Sequence, residues 1–319
     1  MAPVLCVGAL IRDGRNQVFA HRRSPTRRLL PGTWDVVGGH AEPGETPEQA
    51  LAREIEEETG WHLRRIEARL TDWQWEHQGV TRQEFDYLVE VDGDLAVPRL
   101  EEGKHDAFDW VAPGNLDLMM AGRTDGDRRL RDIVARAVRT RLTARLRLDP
   151  AGRWSAGDLW RVHYDEGVAA WSAGRWTAWT AQRRAAEMGS AWEGEGVCTW
   201  LAYRRADGAL VGRGGLTLRQ LDGQQRLDVG WALRSGMAGH GYATEIGRAG
   251  LTFAFGDLGA AQVVAFTQRQ NRRSRAVMER LGMRYARDIT VDGDPFVLYK
   301  LGAADAGRSS DAGGPAASY

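Results

Sequence analysis

Lysine is almost missing from this chain: Lys104 and Lys300 are the only two among 43 basic residues, the rest being arginine. The bias reads as the codon usage of a GC-rich genome and carries no functional weight. Cysteine is equally scarce. Cys6 and Cys198 are too few for a disulfide framework or a cysteine zinc cluster, and they suit a reducing cytoplasm, the expected location. Neither sign of charge is in excess, with 43 acidic residues against 43 basic ones, which argues against a dedicated nucleic-acid binder. No apolar run approaches the roughly 18 residues a membrane span needs, and Met1 to Ile11 lacks a basic start and reads as a buried strand. Neither a span nor a secretory signal is expected. What remains is a 43% apolar chain of 319 residues, near twice the common domain length. Two α/β (α+β) domains are expected, over 1–145 and 146–302. A tail at 303–319, mostly Ala, Gly, Ser and Asp, is expected to be disordered.

Up to about Val111, short β-rich runs alternate with turn residues around one charged helix. Val4–Ile11, Gln17–His21 and Phe85–Val91 read as strands. Pro47–Thr59 reads as a helix, with Thr46 as N-cap, Pro47 at its first position and Gly60 as its stop. A second helix is expected from Asp127 to about Leu146, with Leu130, Ile133, Val134, Ala137, Val138 and Leu142 on one stripe. Residues 123–147 hold nine arginines, which read as the solvated face opposite that stripe. Composition shifts after Asp149-Pro150, with seven tryptophans between Trp154 and Trp200.

The first helix carries the strongest chemical signal. Glu54, Glu57 and Glu58 are related as i, i+3 and i+4, so three carboxylates share one helix face. Unpaired they repel one another, and a hard divalent cation with oxygen ligands removes the conflict. Arg53 reaches Glu57 at i+4 and can orient it. Gly38 and Gly39 let backbone approach the ion, where a carbonyl can add a ligand. A bare Glu-rich run is ordinarily a solvated face, but the wider spacing outweighs that reading: Gly39, Glu45, Arg53-Glu54-Ile55, Glu57-Glu58 and Gly60 stand at the intervals of the Nudix box. Residues from about Val4 to Ala144 resemble a Nudix hydrolase domain, with Trp61 in place of the usual aliphatic residue, a change of packing.

The resemblance implies an α/β/α sandwich with a mixed sheet that hydrolyses a nucleoside diphosphate linked to another group, using Mg²⁺ or Mn²⁺. It implies Glu57 and Glu58 as metal ligands, Glu54 as ligand or general base, the Gly38 carbonyl as a ligand, and Arg53 and Glu45 as orienting groups. Glu101, Glu102 and Asp106 are candidates for a further acid outside the box. Trp73, Trp75 and Trp34 serve either to stack a nucleobase or to pack the sheet.

In the second half, Leu227–Leu233 alternates as a strand. Ala238-Gly239-His240-Gly241-Tyr242-Ala243 then turns into a helix from Thr244 to about Phe255. Such a turn aims backbone N–H groups and a helix dipole at one point, an anion site suited to a pyrophosphate. A strand at Val263–Thr267 follows, then a helix opened by Asn271-Arg272-Arg273-Ser274 and ending Met278-Glu279-Arg280-Leu281-Gly282-Met283. Ahead of the turn lie Trp192–Gly196, Trp200–Tyr203 and Gly208–Gly215. In this order the segments resemble the GNAT N-acetyltransferase fold, especially its Rim-like branch. The resemblance implies Gly239, Gly241 and Ala243 as contacts to the acetyl-CoA pyrophosphate, and Asn271 as a further cofactor contact. Ala238 and Met278 depart from the residues common at their positions, which shifts protonation of the leaving thiolate to Ser274. Glu193, Glu195 and Glu245 are possible helpers for the amine, His240 reads as solvent-facing, and Cys198 as buried.

The combined expectation is a bifunctional enzyme acting on a small nucleotide derivative and on an amine, either a small molecule or a protein N-terminus, with membranes and nucleic acids outside its partners. One alternative makes one domain a ligand-sensing regulator of the other. Another uses the arginine helix to read nucleic acid, which the balanced charge weakens.

Overall fold

The computed structural model describes residues 3–77, 79–171, 174–291 and 293–310, and the chain divides into two compact units between Thr140 and Arg141. In the first unit the strands are β1 (Val4–Ile11), β2 (Val18–Arg23), β3 (Trp34–Asp35), β4 (Val37–His40), β5 (His62–His77), β6 (Val80–Asp92) and β7 (His105–Val111). The helices are α1 (Pro47–Thr59) and α2 (Arg128–Arg139). One mixed sheet runs β4-β1-β6-β5 and a second β3-β2-β7. The continuous apolar run of β1 reflects its central place, parallel to β6 on one side and antiparallel to β4 on the other.

Helix α1 has the limits its punctuation dictates. Thr46 Oγ1 accepts the Gln49 N–H at 3.2 Å, Gln49 Oε1 accepts the Thr46 N–H at 2.9 Å, and Gly60 ends the helix at φ 72°. Its buried Ala50, Leu51 and Ile55 join Val7, Val37 and Tyr87 in one core, where Trp61 meets Phe19 edge-on at 4.9 Å. Trp61 therefore acts in packing, with its Nε1–H donated to the Asp94 carbonyl at 3.0 Å.

Helix α2 is shorter than expected. It stops at Thr140, whose backbone is extended and whose hydroxyl donates to the Arg136 carbonyl at 3.0 Å, closing the last turn. Leu142 continues the apolar spacing but belongs to a strand. Nor is the arginine face wholly solvated: Arg131 and Arg139 are buried, and Arg136 donates to the Leu70 carbonyl at 2.5 Å.

The second unit holds β8 (Arg141–Leu142), β9 (Leu146–Pro150), β10 (Thr199–Arg204), β11 (Leu210–Leu221), β12 (Gln224–Leu233), β13 (Gln262–Gln268), β14 (Arg284–Val291) and β15 (Asp294–Gly302). Its helices are α3 (Ala156–Tyr164), α4 (Glu166–Ala169), α5 (Ala178–Gly194), α6 (Tyr242–Thr252), α7 (Arg272–Arg280) and α8 (Ala303–Ser310). The eight strands form one sheet in the order β14-β15-β13-β12-β11-β10-β9-β8. Every pairing is antiparallel except β12 with β13, which are parallel and in register only at Asp228 and Val264. The two strands therefore part beyond that point. Trp192, Trp200 and Phe253 anchor the core behind them.

Disorder expected from residue 303 is corrected over α8: the Ala303 N–H donates to the Ala261 carbonyl at 3.0 Å, and the alanine-rich sequence continues from β15 as helix. The rest of that expected tail, 311–319, lies outside the described residues. Among the described residues no helix is long and apolar enough to cross a membrane.

Candidate active sites

In the first unit α1 presents its acidic face to β4. Arg53 holds that face together through a dense set of charge-assisted bonds. Its Nε donates to Glu45 Oε1 at 2.9 Å, one terminal nitrogen to Glu54 Oε1 at 2.9 Å and Glu57 Oε2 at 3.2 Å, and the other to the His40 carbonyl at 3.0 Å and Glu45 Oε2 at 3.1 Å. Glu54 and Glu58 are buried and Glu57 is exposed, so two carboxylates form the wall and one the rim. The Gly38 N–H donates to Glu58 Oε2 at 3.0 Å. At Gly39 a Cβ would stand 2.2 Å from Glu54 Oε1, so this approach admits no side chain.

A cleft of about 560 Å³ opens over these groups and is lined by Gly38, Glu54, Glu57 and Glu58 together with Asp35 and Glu84. Burial pushes the Glu58 carboxyl up to about 8 against the opposing bond from Gly38, with the Glu54 charge adding to the rise. Glu84 is pushed up to about 7 by burial and by neighbouring Asp86. Glu54 is raised by burial, with Arg53 opposing. Such crowded, poorly solvated oxygen donors are a fit for a hard divalent cation.

The acids suggested by the sequence outside the helix stand away from the cleft. Glu101 pairs with Lys104 at 2.8 Å, Asp106 with Arg22 at 2.8 Å, and neither these two nor Glu102 lines the cleft. Glu84 and Asp35 do, brought there by β6 and β3, a pairing no local spacing announces. The Trp75 indole N–H donates to Glu84 Oε2 at 2.6 Å, and that of Trp73 to Asp86 Oδ2 at 3.3 Å. Trp75 lines the cleft, whereas Trp73 and Trp34 do not.

His21 and His105 were also beyond the reach of sequence patterns. Their rings stack at 3.6 Å and 14°, with each Nε2 3.8 Å from one oxygen of Glu58. Burial lowers both, His105 to about 4, so both are neutral. One ligand atom from each ring and one from Glu58 lie within 4.8 Å of one another, so this buried trio is itself a group that could hold a metal ion.

In the second unit a cavity of about 800 Å³ lies at the end of β12, beyond its point of register with β13. Gly239, Gly241, Ala243, Asn271 and Ser274 all line it. Gly239 and Gly241 take φ of 83° and 80°, and Gly241 caps α6 without any side-chain bond, leaving the first-turn N–H groups for an anion. Asn271 Oδ1 accepts the Ser274 N–H at 3.1 Å and so starts α7. Met278 is a core residue at 3% exposure, outside the cavity. Glu245 is engaged by Thr143 at 2.6 Å and Arg145 at 2.8 Å, and none of Glu193, Glu195 and Glu245 lines the cavity. His240 is exposed, and Cys198 is buried just ahead of β10. His163, Trp171 and Arg213, which carried no recognisable motif, also line the cavity.

Comparison with known proteins agrees with this division. Residues 2–135 match the model of the NUDIX domain, and residues 145–284 that of the acetyltransferase (GNAT) domain. The nucleoside triphosphatase NudI of Escherichia coli is 35% identical over 109 residues, covering 30% of this chain and 76% of that protein. The chain belongs to the Nudix family and carries a GNAT acetyltransferase domain. Its Nudix domain contains the carboxylate cleft and its GNAT domain the glycine-turn cavity. The uncharacterized protein YkkB of Bacillus subtilis is 29% identical over 108 residues, covering 34% of this chain and 63% of its own length. Several curated relatives are spanned by this chain over less than two thirds of their length. A GnaT-family acetyltransferase structure from Bordetella pertussis aligns with 51% of this chain and 98% of its own at 24% identity and a TM-score of 0.46.

Proposed function

We propose that the chain is a bifunctional enzyme, hydrolysing a nucleoside diphosphate derivative in the Nudix domain and transferring acetyl from acetyl-CoA to an amine in the GNAT domain. The observation that carries the first activity is the burial of Glu54 and Glu58 against Gly38 and Gly39 while Arg53 ties them to Glu57. Glu54, Glu57, Glu58 and the Gly38 carbonyl would hold Mg²⁺ or Mn²⁺, which when bound supplies charge stabilisation to phosphoryl oxygens and acidifies the attacking water. Arg53 keeps the ligands in place, and Glu54 is suited to accept the proton of that water. The name of the NudI relative, a nucleoside triphosphatase, supports a nucleotide substrate.

Support for the second activity comes from the glycine turn: Gly239, Gly241 and Ala243 would hold the coenzyme pyrophosphate, Asn271 would add a contact beyond it, and Ser274, lining the same cavity, would return a proton to the thiolate. Scarce cysteine and the lack of a spanning helix among the described residues support a cytoplasmic setting.

The test is an assay with Mg²⁺ over a panel of nucleoside diphosphate derivatives. Glu57→Gln is expected to lower kcat by about 10²–10⁴-fold, the scale of losing a catalytic acid–base or ligand group. Wild-type protein that binds metal and cleaves nothing across the panel would instead make the Nudix domain a sensor. The burial of Met278, where a tyrosine acid is common, favours the converse second reading, a GNAT domain that binds coenzyme A to regulate hydrolysis.

A further inference from the structure

The cavity of the GNAT domain contains no carboxylate among its lining residues, but it contains three arginines, Arg213, Arg273 and Arg280. Arg213 differs from the other two in its setting. It lies in the middle of β11, paired across the sheet with Leu201 and Ala232, so its backbone is held on both sides. Its Nε–H donates to His163 Nε2 at 2.7 Å. That is the one hydrogen bond the guanidinium makes among the described residues. The carboxylate whose charge acts on it, Asp228, is already hydrogen-bonded to Arg219 at 3.0 Å.

His163 is built as a fixed acceptor. It is 1% exposed and stacks flat on Trp176 at 3.5 Å and 3°. Burial and the Arg213 charge lower it to about 3, so it is neutral, and with Nε2 accepting, its proton sits on Nδ1. A ring so held fixes the Nε edge of the guanidinium and leaves its two terminal nitrogens as a fork that no hydrogen bond to the described residues engages. Such a fork matches two oxygens of a carboxylate or phosphate. Desolvating a guanidinium is costly, and burial lowers Arg213 to about 10, with the Arg219 charge adding to the fall and Asp228 opposing it. An anionic ligand offsets that cost.

We propose that the acceptor amine carries an oxyanion, a carboxylate or a phosphate, which pairs with Arg213 while its nitrogen faces the acetyl group. The proposal rests on the acetyl-transfer reading above. The amine nitrogen forms a C–N bond to the acetyl carbon as the C–S bond breaks, and the proton lost by nitrogen goes to sulfur. A positive, carboxylate-free lining favours the neutral form of the amine, the form that attacks. The same lining leaves an uncharged alkylamine with nothing to hold it.

The test uses the full chain with acetyl-CoA and matched amines: glycine against methylamine, and 2-aminoethyl phosphate against ethanolamine, with thiol release as readout. At least one oxyanion-bearing member is expected to exceed its partner without the oxyanion by about 100-fold in kcat/KM, and which pair responds distinguishes carboxylate from phosphate. Arg213→Gln is expected to erase the preference by raising the acceptor KM with the acetyl-CoA KM unchanged, and Arg213→Lys to restore part of it. Equal turnover of both members of each pair by wild type would overturn the proposal, as would an Arg213→Gln effect confined to the acetyl-CoA KM. A second measurement separates this from a failure of acetyl transfer itself: titration of inorganic phosphate, and separately of acetate, into protein saturated with coenzyme A. Phosphate or acetate binding that Arg213→Gln removes supports the site even if no amine is acetylated; failure of both phosphate and acetate to bind folded wild type sinks it.

Discussion

At Gly39 one hydrogen atom decides whether α1 and β4 can meet. Because a Cβ there would fall 2.2 Å from Glu54 Oε1, Gly39→Ala must push a carboxylate aside while leaving the core beneath it intact. Mg²⁺ affinity measured by calorimetry is expected to fall by about 10–100-fold, the usual effect of disturbing groups around a ligand. Unchanged affinity would mean that Glu54 is not placed by this contact. Residues of this kind were legible in sequence because their spacing is local: Arg53, Glu54, Glu57 and Glu58 sit within two turns of one helix. His21, Asp35, Glu84 and His105 were not, since strands far apart in sequence bring them together. Arg213 and His163 hide for the same reason, being 50 residues apart.

Among elements, α1 shows what punctuation can determine. The reciprocal bonds of Thr46 and Gln49 and the left-handed Gly60 set both ends, and both ends were readable. Thr46→Ala removes one of those bonds and is expected to destabilise the unit by about 1 kcal/mol, seen as a lower urea midpoint with unchanged slope. A midpoint equal to wild type would show that the cap is redundant with packing. Helix α2 shows the limit. Its apolar period runs on smoothly to Leu142, and periodicity alone does not reveal that Thr140 turns extended and that Leu142 pairs with Arg147 in a hairpin. The long hairpin of β5 and β6 was similarly under-read, because its charged, half-exposed residues lack the apolar alternation of a core strand.

On the scale of the whole molecule, each unit has an apolar core of its own, one around Leu51 and Phe19 and the other around Trp200 and Phe253. Residues 1–140 and 141–319, expressed separately, are therefore each expected to unfold cooperatively and to keep the hydrolytic and acetyl-transfer rates of the full chain. Loss of either rate on separation would show that the two activities depend on one another. The two-domain order was legible because each half carries its own motif.

The single point of register between β12 and β13 leaves the larger sheet as cloth with one open seam. Trp231, Ala232 and Leu233, beyond that point on β12, line the cavity, so a ligand there lies along the edge that β13 leaves unsewn. Filling the cavity then hems a strand that, past that point, is stitched to β11 alone.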